Sequence, residues 1–479
     1  MRHVVTSLPS ATVEGSRTAW ARHAAAVDRL VASYRAIPAD ATVRLAKKTS
    51  NLFRARAATT APGLDVSGLG EVIAVDVEAR TADVGGTCTY EDLVAATVPL
   101  GLSPLVVPQL KTITLGGAVT GLGIESASFR NGLPHESVLE MDVLTGAGEV
   151  VTATPDGEHA DLFRGFPNSY GTLGYATRLR IELEPVEPYV ALRHLRFTDL
   201  DELQATMDAV VADREHDGEA VDYLDGVVFT ATESYLTLGR RTAEPGPTSD
   251  YTGRDVYYRS LQTRSRDRLT TADYLWRWDT DWFWCSRAFG AQHPLVRRLW
   301  PRRLLRSSFY WKLIALDHRF DVADRIEARR GNPPRERVVQ DVEVPVERTA
   351  DFVRWFLATV PIEPIWLCPL RLREERGTPT PAGERPWPLY PLEARRTYVN
   401  VGFWSSVPRD PAGPDGATNR RIEATVTEFD GHKSLYSDAF YSPDEFAALY
   451  GGEQLDTLKR RYDPRSRLLD LYSKAVRNR

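Results

Sequence analysis

The chain has 479 residues, of which 42% are hydrophobic and 26% charged, which is typical of a folded protein of roughly two or three domains and excludes global disorder. Its formal net charge of -5 argues against a nucleic-acid-binding protein, since phosphate binding needs a dominant basic surface. Cys88, Cys285 and Cys368 are far apart and form no CxxC pair, so neither a disulfide framework nor a metal site is expected. We find no signal-peptide pattern and no apolar run of about 18 residues, which predicts a cytoplasmic protein that does not span a membrane.

The first part of the chain is predicted to contain a lead-in helix followed mainly by short strands. Apolar residues recur at helical spacing from Thr18 to Ala36, and Pro38 ends the pattern. A second helix is predicted from Tyr90 to Leu100. The predicted strands are VIAVDVE, TADVGG, TITLGG, LEMDVLT, EVVTAT and TRLRIELEP. This order predicts an α+β domain over residues 1–187.

The second part, residues 188–479, is predicted to be a mixed α+β substrate domain with a helical tail from Pro443. The segment TDLDELQATMDAVVAD has the spacing of an amphipathic helix. The predicted strands are VDYLDGVVFTAT, SYLTLGRR, VVQDVEVP, PIEPIWLCPL and YVNVGFW. The proline- and glycine-rich stretch from Gly377 to Gly416 predicts a loop.

The segment from Val107 to Thr152 carries the most informative chemical pattern. It brings glycines together with hydroxyl side chains: Gly116, Gly117, Gly121, Gly123, Thr112, Thr114, Ser126 and Ser128. Glycine lets backbone amides approach a phosphate closely, so this segment is a candidate diphosphate cradle. Taken alone, Gly-Gly pairs between strands are more often turns or bulges. GLGIES lacks the third glycine of GxGxxG, so a Rossmann domain is not predicted.

Three ordered segments resemble the two-subdomain FAD-binding domain of the vanillyl-alcohol oxidase type. They are a first loop, VRLAKKTSNLFRARA, then PQLKTITLGGAVTGLGIESASFRNG at the diphosphate and flavin, and SYGTLGYATRLRIEL over the adenosine. The resemblance implies FAD binding by Gln109, Thr112, Thr114, Leu115, Gly116, Gly117, Gly121, Gly123, Ile124, Glu125, Ser126, Ser128, Gly171, Thr172 and Gly174.

Motifs along nearly the whole chain resemble the diminuto or 24-dehydrocholesterol reductase family. They are TLGGAVTGLGIES, VVQDVEVP, PIWLCP and LYSDAFYSPDEF. Within that family the sequence is most similar to the bacterial branch associated with 10-methyl fatty acids. The resemblance implies that FAD reduces a carbon–carbon double bond in a lipid, here a 10-methylene fatty acyl chain, with NADPH as a transient reductant. The sterol enzymes carry an N-terminal membrane segment that this sequence does not show, which favours the acyl chain.

Three alternatives stay open at this stage. A sterol side-chain reductase fits the same family motifs. An FAD-dependent alcohol or sugar oxidase or dehydrogenase fits the FAD-binding motifs alone. A lipid-binding protein with a vestigial flavin site belongs to another class, and the intact glycines argue against it.

Covalent flavin attachment in this superfamily uses a histidine, sometimes with a cysteine, beside the first or second loop. No histidine occurs between His23 and His135, and Cys88 lies outside both loops. We therefore expect FAD to be bound non-covalently.

Four residues are candidates for proton transfer. Tyr436, Asp438 and Tyr441 lie in LYSDAFY, where strand alternation would put Tyr436 and Asp438 on one face. One interpretation is that these three side chains line a pocket. The other is that the segment is a half-buried strand with a hydrogen-bonded tyrosine. His135 faces the flavin or is a structural histidine. A diphosphate would repel the carboxylate of Glu125, which favours a turn-stabilising or ribose-binding role over acid catalysis.

Two further segments have open interpretations. The aromatic block YLWRWDTDWFW, residues 274–284, lines a lipid tunnel or packs in the core. Between Arg297 and Lys312, six basic residues occur without an acid and are interleaved with aromatic side chains. This run favours an anionic membrane surface over nucleic acid, with a solvated helix face as the alternative. The expected location is cytoplasmic or peripheral at the inner face of a membrane, and the oligomeric state is left open.

Overall fold

Two antiparallel β-sheets organise the chain in this computed structural model, which describes residues 10–47, 53–54, 62–320, 325, 329, 331–374, 380–410 and 412–477. The sheets have six and eight strands, and helices pack against them. The predicted α+β fold is confirmed. Much of the predicted first loop, residues 48–52 and 55–57, lies outside the described residues, as does part of the predicted loop between Gly377 and Gly416.

The first unit contains the six-stranded sheet, whose strand order is β3-β4-β8-β6-β7, with β5 paired to β8. A short parallel pair, β1 and β2, lies outside this sheet. The strands of the first unit are β1 (Arg44–Leu45), β2 (Gly63–Leu64), β3 (Val72–Asp76), β4 (Thr81–Gly85), β5 (Leu102–Pro104), β6 (Val138–Thr145), β7 (Val150–Ala153) and β8 (Gly174–Pro185). Its helices are α1 (Ser10–Ala36), α2 (Tyr90–Thr97), α3 (Leu115–Thr120), α4 (Ser128–Asn131) and α5 (Ala160–Gly165).

The second unit contains the eight-stranded sheet, in the order β14-β9-β13-β12-β16-β17-β15-β18. Its strands are β9 (Tyr189–Phe197), β10 (Glu215–His216), β11 (Glu219–Ala220), β12 (Tyr223–Thr230), β13 (Glu233–Thr242), β14 (Arg266–Thr270), β15 (Arg335–Pro345), β16 (Ile365–Arg371), β17 (Thr397–Pro408) and β18 (His432–Lys433). Its helices are α6 (Leu200–Asp213), α7 (Tyr257–Ser260), α8 (Thr271–Leu275), α9 (Pro294–Leu299), α10 (Ser307–Phe320), α11 (Thr349–Thr359) and α12 (Ala417–Glu428). The chain ends with α13 (Pro443–Leu449), α14 (Gly452–Tyr462) and a short π-helical turn (Ser473–Arg477).

The chain crosses from one sheet to the other between Pro185 and Tyr189, and the predicted boundary at residue 187 falls in this connection. The C-terminal segment then returns to the first unit. Lys459 Nζ donates to the Thr172 carbonyl at 3.1 Å, and the Tyr462 carbonyl accepts from the Ala147 amide at 2.9 Å. The division of the chain into two domains at residue 187 stays a prediction, because α14 lies after that boundary but packs on the first unit.

The strongly periodic helices were predictable from local pattern. The helices predicted at Thr18–Ala36 and Tyr90–Leu100 and in TDLDELQATMDAVVAD are confirmed, as α1, α2 with the 3-10 turn that follows it, and α6. In α6, for example, the Asp199 side chain accepts from the first amides of the helix, while Leu203, Met207 and Val210 are buried on one face.

The prediction of a strand at TITLGG was wrong, because α3 begins at Leu115. The Leu115 amide donates to the Cys88 carbonyl at 2.9 Å, and the Gly116 amide donates to the Gly86 carbonyl at 3.0 Å. These tertiary bonds tie the start of α3 to the end of β4, and they override the β-branched composition of Thr112 to Thr114.

Candidate cofactor and substrate cavity

A cavity of about 500 Å³ is lined by residues of both units and of the C-terminal segment. The first unit contributes glycines, hydroxyl side chains and cations as well as apolar side chains, and the second contributes mainly aromatic side chains. We call the glycines, hydroxyl side chains and cations of the first unit the polar wall, and the aromatic side chains of the second unit the aromatic wall.

Glycines of the polar wall allow a close approach between α3 and the end of β4. A Cβ on Gly116 would lie 2.5 Å from the Gly86 carbonyl oxygen, and one on Gly86 would lie 1.8 Å from the Ala176 carbonyl oxygen. A Cβ on Gly117 would meet only Thr114 Oγ1, at 2.8 Å. Side chains are therefore excluded where the backbones meet, and backbone is exposed to the cavity at Gly117.

Cationic side chains accompany these glycines. Lys47 Nζ donates to Thr114 Oγ1 at 3.3 Å, and burial lowers the pKa of Lys47. Arg54 donates to the Leu435 carbonyl at 3.1 Å. Arg44 and Lys474 also line the cavity. Exposed backbone beside cations suits a diphosphate.

Gln109 gives an independent indication of a ligand. Its side chain is buried and lines the cavity, and neither amide atom has a hydrogen-bond partner among the described residues. A buried amide without partners is costly, so this side chain suits a ligand that both donates and accepts hydrogen bonds. The polar wall therefore fits FAD.

The predicted FAD-binding residues divide into two groups. Those that line the cavity are Gln109, Thr114, Gly116, Gly117, Gly121, Gly123, Ile124 and Gly171. Those that do not line it are Thr112, Leu115, Glu125, Ser126, Ser128, Thr172 and Gly174. For the second group a direct ligand contact stays a prediction.

Several side chains of the second group bind the protein itself. Ser126 Oγ donates to Glu125 Oε2 at 3.0 Å, and the Glu125 amide donates to Ser128 Oγ at 3.1 Å. Burial raises the pKa of Glu125 to about 7, although Arg277 opposes the shift. Thr172 Oγ1 donates to the Ser169 carbonyl at 2.7 Å. These bonds favour the turn-stabilising role for Glu125.

Four side chains of the second unit form the aromatic wall: Trp282, Phe283, Trp366 and Trp404. The Phe283 ring lies 4.4 Å from that of Trp404 and 5.3 Å from that of Trp366, measured between centroids. The aromatic block divides between the two positions, because Trp282 and Phe283 line the cavity while Trp278 is core, and a lipid tunnel stays a prediction. The wall is largely apolar, which suits an apolar part of a ligand.

A buried carboxylate anchors this wall. Asp225 accepts from Arg277 at 2.9 Å, from Trp278 Nε1 at 3.0 Å and from Trp366 Nε1 at 3.2 Å. The backbone of Phe283 is left-handed, with φ of 56°, which costs about 1–3 kcal/mol in a residue other than glycine. Contacts around Asp225 hold the aromatic block in place against that strain.

Asp341 was not among the predicted site residues, yet it lines the cavity between the aromatic wall and Tyr436. Its carboxyl accepts from Asn400 Nδ2 at 3.3 Å and is hydrogen-bonded to Tyr436. Burial raises the pKa of Asp341 to about 7. The available signal was weak, because Asp341 is one of three polar residues in the strand VVQDVEVP, with Gln340 and Glu343.

Of the four residues predicted for proton transfer, Tyr436 lines the cavity. The strand predicted for LYSDAFY was wrong: β18 ends at Lys433, and Tyr436 lies in a turn. Tyr436 and Asp438 consequently share no strand face. The Asp438 carbonyl instead accepts from Lys433 Nζ, and that ammonium also donates to Glu423 at 2.8 Å.

Neither His135 nor Tyr441 lines the cavity. The His135 ring lies 4.4 Å from the Trp387 ring, between centroids, and burial lowers the pKa of His135 to about 3. Tyr441 is buried beside Tyr450, with ring centroids 6.0 Å apart. These positions favour structural roles for both side chains.

The thiol and imidazole groups near the cavity bear on flavin attachment. Among the described lining residues there is no histidine, and the thiol is that of Cys285. Burial raises the pKa of Cys285 to about 12, which keeps it protonated and weakly nucleophilic. Non-covalent binding stays a prediction, since most of the first loop lies outside the described residues.

Among the described residues, no helix is long and apolar enough to span a bilayer. No group of at least three His, Cys, Asp or Glu side chains in the same part of the chain could hold a metal ion.

Comparison with known proteins is consistent with this cavity. The FAD binding domain family matches residues 17–154. Delta(24)-sterol reductase from Arabidopsis thaliana is 26% identical over 438 residues, covering 87% of this chain and 77% of that protein. The human Delta(24)-sterol reductase is 24% identical over 419 residues, covering 84% and 76%. The chain is an FAD-dependent oxidoreductase. Cytokinin dehydrogenase 10 from rice, Oryza sativa, is 32% identical over 193 residues, but this covers only 38% of the chain and 34% of that protein.

Proposed function

We propose that this oxidoreductase reduces a carbon–carbon double bond in a lipid, with a 10-methylene fatty acyl chain as substrate and NADPH as reductant. One observation carries the proposal: the same cavity joins a polar wall that fits FAD to a wall of four aromatic side chains. A sugar, with several hydroxyl groups, would need more polar partners there than Asp341 and Tyr436 provide. The similarity to proteins named sterol reductases supports reduction, and it keeps a sterol side chain as the alternative substrate.

In this proposal the first unit is the FAD-binding domain and the second is the substrate domain. Gly116, Gly117, Thr114 and Lys47 would hold the diphosphate, and Gln109 would bond a polar edge of the cofactor. Bound and reduced FAD supplies a hydride. Trp282 and Phe283 would exclude water from the reacting carbons, which strengthens the electrostatic interactions made there.

The test separates the two half-reactions under anaerobic conditions. NADPH should bleach the flavin, and a 10-methylene acyl chain should restore its colour without oxygen. A sterol with an unsaturated side chain forms the second arm, and restoration by it alone would support the sterol alternative. Bleaching by a simple alcohol, rapid reoxidation in air and no response to any alkene would contradict the proposal and favour an oxidase.

We also propose that an anionic bilayer supplies this lipid at a basic surface formed by Arg298, Arg303 and Lys312 with Leu295 and Leu299. All three cations are exposed, and none makes an ion pair among the described residues. The side chains of Leu295 and Leu299 are 69% and 84% exposed, which is unusual for leucine. Exposed leucines among unpaired cations complement an anionic lipid surface.

Three of the six basic residues between Arg297 and Lys312 are left out of this surface, because each makes an ion pair. Arg297 is buried and paired with Asp281 at 2.5 Å. Arg302 pairs with Asp250 at 3.0 Å, and Arg306 pairs with Glu91 at 2.7 Å. The segment that carries this surface also packs against the aromatic wall, because Trp282 shares one apolar cluster with Leu305, Tyr310 and Trp300.

A further inference from the structure

We propose that Asp341, positioned by its hydrogen bond to Tyr436, donates the proton that alkene reduction requires. This inference rests on the proposed function and names the acid that the reaction needs. Reduction of an isolated alkene delivers a hydride to one carbon and a proton to the other, so a well-placed acid is indispensable.

The geometry places this pair where substrate must lie. Asp341 and Tyr436 both line the cavity, as does Trp404 of the aromatic wall, which contacts Tyr436. Trp404 Nε1 donates to the Tyr436 oxygen at 2.9 Å, so the hydroxyl hydrogen of Tyr436 is free to reach Asp341. Asn400 Nδ2 also donates to the carboxyl, at 3.3 Å. Two donors fix the carboxyl, and its own proton is not needed to bond either of them.

The surroundings keep this carboxyl protonated near neutral pH. Besides Tyr436, the ionisable groups coupled to it are Tyr170, Cys368 and Glu343. A cation also faces this part of the cavity, because Arg54 bonds the Leu435 carbonyl next to Tyr436 and stacks on Tyr170. Burial prevails, and the pKa of Asp341 is raised to about 7.

The step balances as follows. The alkene π pair forms a new C–H bond with the Asp341 proton, and the hydride supplied by reduced FAD forms the other. The substrate gains two electrons, and reduced FAD loses two electrons. Asp341 is left as a carboxylate that the Tyr436 hydroxyl and Asn400 amide stabilise, and it regains a proton from water. NADPH provides the hydride for the next turnover.

Asp341→Asn tests the donor directly in FAD-loaded protein. Flavin content and NADPH bleaching should stay within about twofold of wild type, while reoxidation by alkene should slow by about 100-fold or more. Glu336→Gln is the control and should be reoxidised like wild type, since Glu336 is a buried carboxyl on the same strand, β15, that does not line the cavity. Tyr436→Phe should slow alkene reoxidation about tenfold, and Tyr441→Phe, its control, should not.

A second measurement needs no turnover. Because the folded-state pKa of Asp341 is raised, this residue stabilises the fold most at low pH, and the contribution is lost as pH rises through about 7. Asp341→Asn should therefore raise the melting temperature of flavin-free protein more at about pH 8 than at about pH 5. Wild-type alkene reoxidation should fall about tenfold per pH unit above about 7.

Each outcome decides the assignment. Equal reoxidation by wild type and Asp341→Asn would overturn it and leave the proposed function intact. If the variant fails to bind FAD, a flat wild-type pH profile between about 6 and 9 overturns it, and a fall above about 7 supports it. A wild type that no alkene reoxidises would refute the proposed function itself, and this assignment with it.

Discussion

Gly117 lines the cavity, and a Cβ added there would meet only Thr114 Oγ1, at 2.8 Å. We predict that Gly117→Asp abolishes FAD binding. Two unit charges at about 4 Å repel by about 4 kcal/mol near a protein surface, or about a thousandfold in affinity. Flavin absorbance per protein measures the effect. Gly413→Asp, a charge added where a Cβ meets only ordinary contacts, is the control and should keep full flavin content.

Asp225 is the residue on which the aromatic wall depends. Asp225→Asn would leave the buried Arg277 without its ion-pair partner, and we predict a loss of about 3–5 kcal/mol of unfolding free energy. Denaturant unfolding measures it. The control is Asp250→Asn, which removes an exposed ion pair with Arg302 and should cost less than about 1 kcal/mol. Equal effects of the two variants would refute the anchoring role.

Among the elements, α9 and the segment that follows it carry the proposed lipid contact. Replacing Arg298, Arg303 and Lys312 by glutamine should weaken binding to anionic vesicles about 100-fold, since each cation contributes about 1 kcal/mol. Vesicle sedimentation at low salt measures the loss, and flavin content should not change. Arg302→Gln is the control, because Asp250 already neutralises that cation. Unchanged sedimentation of the triple variant would contradict the proposed lipid contact and favour an ordinary solvated surface.

At the scale of the whole molecule, the cavity joins both sheet units and the C-terminal segment, so a bound cofactor should stabilise all three together. We predict that removing FAD lowers the melting temperature and that adding it back at about 100 times its Kd restores about 2.7 kcal/mol. Gly117→Asp should show no response to added FAD. A melting temperature of wild type that is independent of FAD would place the cofactor outside this cavity.

Local pattern in the sequence was sufficient for the periodic helices, and resemblance to known motifs was needed for the polar wall. Helices α1, α2 and α6 followed from the spacing of apolar residues, since a helix face records burial every three to four positions. Resemblance of the segment containing Gly116 and Gly117 to known FAD-binding motifs indicated the cofactor, and the structure brings those glycines to one cavity.

Tertiary structure alone decided which polar residues reach the cavity. Asp341 is one acid within a strand, and its role depends on Tyr436 and Asn400, which are distant in sequence. Arg297 belongs to a basic run, yet it is buried in an ion pair with Asp281. The strand expected at TITLGG became α3 through bonds to residues 86 and 88. Periodicity encodes which side of an element is buried, but the partners that a buried charge finds there are set by chain segments far away in sequence.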